Sequence, residues 1–134
     1  MAISLNNHVK MLKGDFYTVL KKEHGEGELL YNIKLNSEHP IYSGHFPDVP
    51  VTPGVCQVEI IKECLEDGLK KKLFLKSSKD IKFAGLNNPK EKDELLVKIT
   101  YSLQDNDLIK VNATLVDNQE NVVLKLRGEF CDQI

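Results

Sequence analysis

His45 and Glu59 are the residues of this chain best suited to proton chemistry. His45 lies in a loop stiffened by Pro47 and Pro50. Proline fixes φ, so such a loop holds a side chain in one place, as a general base requires. An unperturbed imidazole titrates at about 6.5, which suits proton transfer near neutral pH. Glu59 follows Pro53 and Gly54, where a helix is expected to open, and its neighbours Val55, Val58, Ile60 and Ile61 are apolar. Desolvation there disfavours the carboxylate, so Glu59 is expected to hold its proton and serve as a general acid. The backbone N–H of Gly54 lies where a helix leaves donors unpaired, and those donors stabilise a developing oxyanion. Base, acid and oxyanion donor thus fall between residues 45 and 59. The set suits removal of a proton next to a thioester carbonyl, followed by loss of a hydroxyl.

Each residue also has an ordinary reading. A loop histidine usually meets water or a hydrogen-bond partner. A helical glutamate is usually solvated or paired, here with Lys62. Prolines commonly precede helices. The combination, in one fixed order, is what argues for a site.

The elements that must position these residues follow from patterning. Phe16 to His24 and Glu28 to Leu35 flank Gly25-Glu26-Gly27 and read as a β-hairpin. Ser37 to Thr52 holds three prolines and a glycine, which predicts a stiff loop rather than a strand or helix. A helix is expected from Pro53 to about Asp67, with Gly68 as its C-terminal cap. Its first half is apolar except for Gln57 and Glu59, whereas polar residues dominate from Lys62 onward. The pattern predicts a helix buried first and solvated later. Asp80 to Leu86, Glu94 to Leu103, Leu108 to Val116 and Val122 to Cys131 read as strands, the last three separated by Asp/Asn-rich turns. Two strands, one helix and four strands imply an α+β domain spanning residues 1–134. Its expected form is one antiparallel sheet of about six strands wrapped around a central helix.

Composition sets the boundaries. The chain has 134 residues, 41% hydrophobic and 28% charged, with a net charge of −2. These values fit a single globular domain and give no global attraction to nucleic acid or membrane. The first residues lack the long apolar core of a signal peptide, and no window suits a membrane span, so the expected location is the cytoplasm. Cys56, Cys64 and Cys131 form no CxxC or zinc pattern; the first two read as buried, reduced residues. No phosphate loop, nucleophile triad or metal motif appears, so no cofactor is implied.

The run GHFPDVPVTPGV, with Glu59 fourteen positions after His45, resembles the signature of the FabZ/FabA 3-hydroxyacyl-[acyl carrier protein] dehydratases. The glutamate makes the chain look like the FabZ branch. The resemblance implies a hot-dog fold and dehydration of a 3-hydroxyacyl chain on acyl carrier protein. It implies His45 as base, Glu59 as acid and the Gly54 N–H as the donor to the thioester carbonyl. It also implies a homodimer in which histidine and carboxylate come from different subunits. Tyr42, Phe46, Val55 and Glu63 are the expected lining of an acyl channel, with packing the alternative for Phe46.

The sequence departs from that family in two places. Glu63 stands where glutamine is usual, and repulsion at i,i+4 would raise the pKa of Glu59 further. Pointed at the site, Glu63 would alter substrate or pH optimum; pointed at solvent, it would change nothing. Lys90-Glu91 replaces the usual Gly-Asp after the matching Phe83 and Pro89. The second departure points to a specialised paralogue, as in aryl polyene synthesis. Lys70, Lys71, Lys72, Lys76, Lys79 and Lys82 form either a docking patch for an acidic carrier or a solvated face. His8 and His24 read as surface residues, and His39 as a minor candidate beside His45. A hot-dog thioesterase and a non-catalytic carrier-binding subunit are the competing readings.

Overall fold

The computed structural model describes residues 11–44 and 50–132. His45 and Phe46 lie outside the described residues, as does His8. The order is β1 (Tyr17–Gly25), β2 (Glu28–Leu35), a 3-10 turn (Pro40–Gly44), α1 (Gly54–Leu69), β3 (Leu73–Phe83), β4 (Glu94–Leu103), β5 (Ile109–Asp117) and β6 (Val122–Asp132). A short 3-10 turn over Asp105–Asp107 joins β4 to β5.

The six strands form one sheet in the order β1-β2-β4-β5-β6-β3, and every neighbouring pair is antiparallel. Alternation fixes which face looks inward. Leu29, Tyr31, Ile33 and Leu35 of β2 are buried, as are Leu95, Val97 and Ile99 of β4 and Ile109, Val111, Ala113 and Leu115 of β5. They pack with Val58, Ile60, Ile61 and Leu65 of α1 in one core. Each such side chain contributes about 1.5–3 kcal/mol on burial. The helix therefore lies where the sheet is most apolar, and it links β2 to the far edge strand β3.

Four local expectations need correction. The third strand begins at Leu73 rather than Asp80 and ends at Phe83 rather than Leu86. It is an edge strand with two irregularities in its pairing to β6, so its outward residues follow no apolar alternation. The proline-rich loop contains the 3-10 turn over Pro40–Gly44. The helix does not emerge into water at Lys62: Lys62, Glu63, Cys64 and Leu65 are all buried, and Glu63 is bonded by the chain before β1. Nor does Gly68 cap the helix. It lies inside α1, and Lys70 is the C-cap in the left-handed region, its N–H bonded to the Glu66 carbonyl.

Candidate active site

Pro53 is the N-cap of α1 rather than its first helical residue, and offers no side-chain cap. Gly54 is thus the first helical residue, and the first turn carries no acidic side chain. The helix N-terminus keeps its unpaired N–H groups and its positive dipole end. The ring of Phe83 lies over Gly54: a Cβ built there would come within 2.8 Å of two ring carbons. Only glycine lets the Phe83 ring approach this backbone so closely. A cleft of about 300 Å³ opens beside it, lined by Thr52, Gly54, Gln57, Phe83 and Leu86 among others.

The loop entering α1 is tied down by buried polar groups. Thr52 donates its hydroxyl to Asn87 Oδ1 at 2.6 Å, and its N–H to the Asn87 carbonyl at 2.9 Å. The Tyr42 hydroxyl lies 3.2 Å from Thr52 Oγ1, and Asn87 Nδ2 donates to the Lys92 carbonyl. Gln57 Nε2 donates to the Thr52 carbonyl at 3.1 Å, while Gln57 Oε1 is buried without a partner among the described residues. Thr52, Gln57 and Asn87 all escaped the sequence reading. Only the proximity of Thr52 and Gln57 to Gly54 hinted at them, and Asn87 carried no signal.

Glu59 lies in the second turn of α1, on a stripe with Cys56, Lys62, Glu63 and Glu66. Its exposure is 4%, and Oε1 has no hydrogen-bond partner among the described residues. Burial pushes the Glu59 pKa up to about 8; the Glu63 carboxyl adds to this, and the Lys62 ammonium opposes it. Lys62 Nζ stands 4.0 Å from Oε1, beyond hydrogen-bond reach. Burial thus acts on Glu59 in the direction that disfavours its carboxylate. Burial, then Glu59 and Glu63, push the Cys56 thiol up to about 12, so it stays a neutral thiol. Cys64 is buried as expected, and both are reduced.

Glu63 points neither at the cleft nor at solvent. It turns to the chain before β1, where Oε2 accepts from the Leu12 N–H at 2.8 Å. Oε1 accepts from the Lys13 N–H at 3.0 Å and the Tyr17 hydroxyl at 2.9 Å. Tyr42 is buried and stacks on Phe16, whereas Val55 is exposed. His39 bonds Asp15, and His24 bonds the Tyr31 hydroxyl. The six lysines are exposed; Lys70 pairs with Asp67 and Lys71 with Asp132. Lys90 and Glu91 are exposed, in a turn organised by Asn88.

Gly54 and Glu59 face different directions around α1. Glu59 stands five positions after Gly54, a rotation of about 140° around the axis. The Gly54 cleft is lined without Glu59.

Among solved structures, the chain is similar to the dehydratase heterocomplex ApeI:P from Xenorhabdus doucetiae, with 21% identity and a TM-score of 0.67 over 84% of this chain and 96% of that one. It is also similar to the E. coli PaaI protein of the phenylacetic acid degradation operon (10% identity, TM-score 0.61, 88% and 80% covered). A hypothetical thioesterase with coenzyme A from Streptococcus pneumoniae has 12% identity and a TM-score of 0.63, with 87% and 85% covered. At these identities the likeness establishes the fold, which is the hot-dog fold. No curated protein matches. The ApeI-like family, described as ApeI dehydratase, matches residues 21–123, a span that holds His45, Gly54 and Glu59. The resemblance read from the motif named the FabZ/FabA dehydratases; by this match, the chain belongs to the ApeI-like dehydratase family.

Proposed function

We propose that the protein removes water from 3-hydroxyacyl groups on acyl carrier protein to give the trans-2-enoyl thioester. The observation that carries this reading is the buried carboxyl of Glu59, its pKa pushed up to about 8 by burial, with one oxygen unpartnered among the described residues, in a chain of a dehydratase family. His45 takes the proton from the carbon next to the thioester carbonyl. Charge gathers on the carbonyl oxygen, where the Gly54 N–H and the positive end of α1 stabilise it. The double bond forms as the bond to the hydroxyl breaks, and Glu59 gives its proton to the departing oxygen, which leaves as water. Return of the proton from His45 to Glu59 resets the site. Each proton transfer of this kind contributes about 10²–10⁴-fold.

The site is assembled from two hot-dog chains, with Glu59 of one facing His45 and Gly54 of the other. Two observations support this. Gly54 and Glu59 lie about 140° apart around α1, and the cleft beside Gly54 is lined without Glu59. The helix N-terminus is also bordered by exposed apolar residues, Val55 at 42%, Phe83 at 53% and Leu86 at 84%, which a second chain would cover. The arrangement is a homodimer, the Xenorhabdus heterocomplex being the precedent for a pairing of unlike chains. The exposed lysines of β3 give an acidic carrier a docking surface. The pathway is fatty acid synthesis or a related one such as aryl polyene synthesis, in the cytoplasm.

The test is a turnover panel of 3-hydroxyacyl carrier-protein substrates that differ in chain length and unsaturation. Water loss by the wild type, abolished in both His45→Ala and Glu59→Gln with the fold intact, is the expected result. Near-normal turnover in either variant refutes the assignment. Release of free thiol instead identifies a thioesterase, and carrier binding without turnover identifies a non-catalytic subunit.

A further inference from the structure

Two carboxyls, Glu59 and Glu63, share one buried stripe of α1, and their surroundings differ in kind. Three donors converge on Glu63: the amides of Leu12 and Lys13 and the hydroxyl of Tyr17. An amide N–H only donates, so a proton added to Glu63 must displace part of this arrangement. A proton on Glu59 meets no such conflict, because Oε1 of Glu59 has no partner among the described residues. Two carboxylates one turn apart in a buried setting do not both ionise readily.

We propose that Glu63 is a positioning residue for Glu59: clamped by the segment before β1, it keeps the proton of the pair on Glu59. The clamp reaches far along the chain, since Leu12 and Tyr17 lie 51 and 46 residues from Glu63. The segment that delivers it is itself anchored, with Leu12, Phe16 and Tyr17 all buried.

Other groups facing the pair do not reverse the assignment. Lys62, 4.0 Å from Glu59 Oε1, favours the carboxylate. Glu66, one turn further along α1, adds charge of the same sign as Glu63 and opposes it. Cys56 and Tyr17 remain neutral: burial comes first for both, followed by Glu59 and Glu63 for Cys56 and by Cys64, then Glu63 and Glu59, for Tyr17. The Lys13 ammonium is turned to Asp67, at 3.7 Å. Burial, Glu63 and Glu66 together outweigh Lys62, in agreement with the raised Glu59 pKa.

Protonation of Glu59 is measurable without substrate, so this inference rests on the dehydratase reading only for its consequence on turnover. The experiment is carboxyl ¹³C NMR of glutamate-labelled full-length protein, with the Glu59 signal identified by its loss in Glu59→Gln. In Glu63→Gln the Glu59 midpoint should fall by about one pH unit, a tenfold loss of proton affinity. Tyr17→Phe, which keeps the ring and removes one donor, should lower it less. The alkaline limb of the pH–rate profile should move down with the midpoint. A midpoint that stays put or rises in both variants overturns the proposal, as does a wild-type Glu59 already ionised in mildly acidic buffer. A midpoint that falls as expected in a protein with no water-loss activity upholds the clamp and rejects the dehydratase reading. Activity with an unmoved midpoint does the reverse.

Discussion

Glu59 and Glu63 are equally buried, each 4% exposed, yet Glu63 accepts three hydrogen bonds while Glu59 Oε1 accepts none among the described residues. This asymmetry has a consequence for stability. The Glu59 pKa stands near 4.5 in an unstructured chain and is pushed up to about 8 in the fold, by burial first and Glu63 second. The folded state therefore binds this proton more tightly than the unfolded state. The associated stability is full below about pH 4.5 and is lost as pH rises through about 8. Glu59→Gln, neutral and of the same shape, should remove that slope and be the more stable protein in alkaline buffer. Urea melts of both proteins across this range check it; parallel curves would contradict the prediction.

Thr52 and Asn87 fix the entrance of the helix. Removing the Thr52 hydroxyl leaves Asn87 Oδ1 buried without a donor, a loss of about 1–3 kcal/mol. Thr52→Val keeps the shape, so the loss reports the hydrogen bond rather than packing. The same change loosens the backbone that presents the Gly54 N–H. We expect kcat to fall about tenfold or more, since small misplacements of an oxyanion donor are costly. Thermal melts and steady-state turnover on one preparation separate the two effects. A variant with wild-type melting and wild-type kcat would remove Thr52 from any positioning role.

Gly54 is constrained by Phe83 rather than by its own dihedral angles. Gly54→Ala places a methyl group 2.8 Å from the Phe83 ring, so one of them must move. Phe83 is half-exposed and has room to swing outward. The substitution should therefore cost little stability, about 1 kcal/mol or less, because the overlap is with a side chain that is free to give way. It should nonetheless lower turnover by distorting the cleft beside the helix N-terminus. Pairing it with Phe83→Ala removes the clash and should recover part of the activity. Failure of the double variant to exceed the single one would show that the methyl group itself blocks the site.

The succession of strands along the chain and the central helix were legible because they follow from alternation and from the one nearly all-apolar helical run, Val55 to Ile61. The upward shift of the Glu59 pKa was legible for the same reason, since the apolar neighbours along the helix mark a buried stretch. Glu63 was not, because its donors lie some fifty residues away on a segment whose docking leaves no local pattern. Lys62 is buried as well, which a count of charges along the helix cannot anticipate. Asn87 escaped for a similar reason: an Asn-Asn-Pro turn reads only as a loop, and its tie to Thr52 spans 35 residues.

Gly68 tests the difference between a local signal and a packing constraint. By position it reads as a helix cap, and by propensity alone Gly68→Ala inside an α-helix should stabilise by about 1 kcal/mol. The fold opposes this. A Cβ at residue 68 would stand 2.6 Å from both terminal methyl carbons of Leu29, which is itself buried in the sheet facing α1. Overpacking of this kind costs about 1–3 kcal/mol, more than the propensity gain at its upper end. We therefore expect Gly68→Ala to lower the melting temperature. Trimming the neighbour in Leu29→Val/Gly68→Ala should recover much of that loss, a coupling that a capping role cannot produce. A single variant more stable than the wild type would mean that α1 shifts freely against β2 and that the glycine is not set by helix–sheet contact.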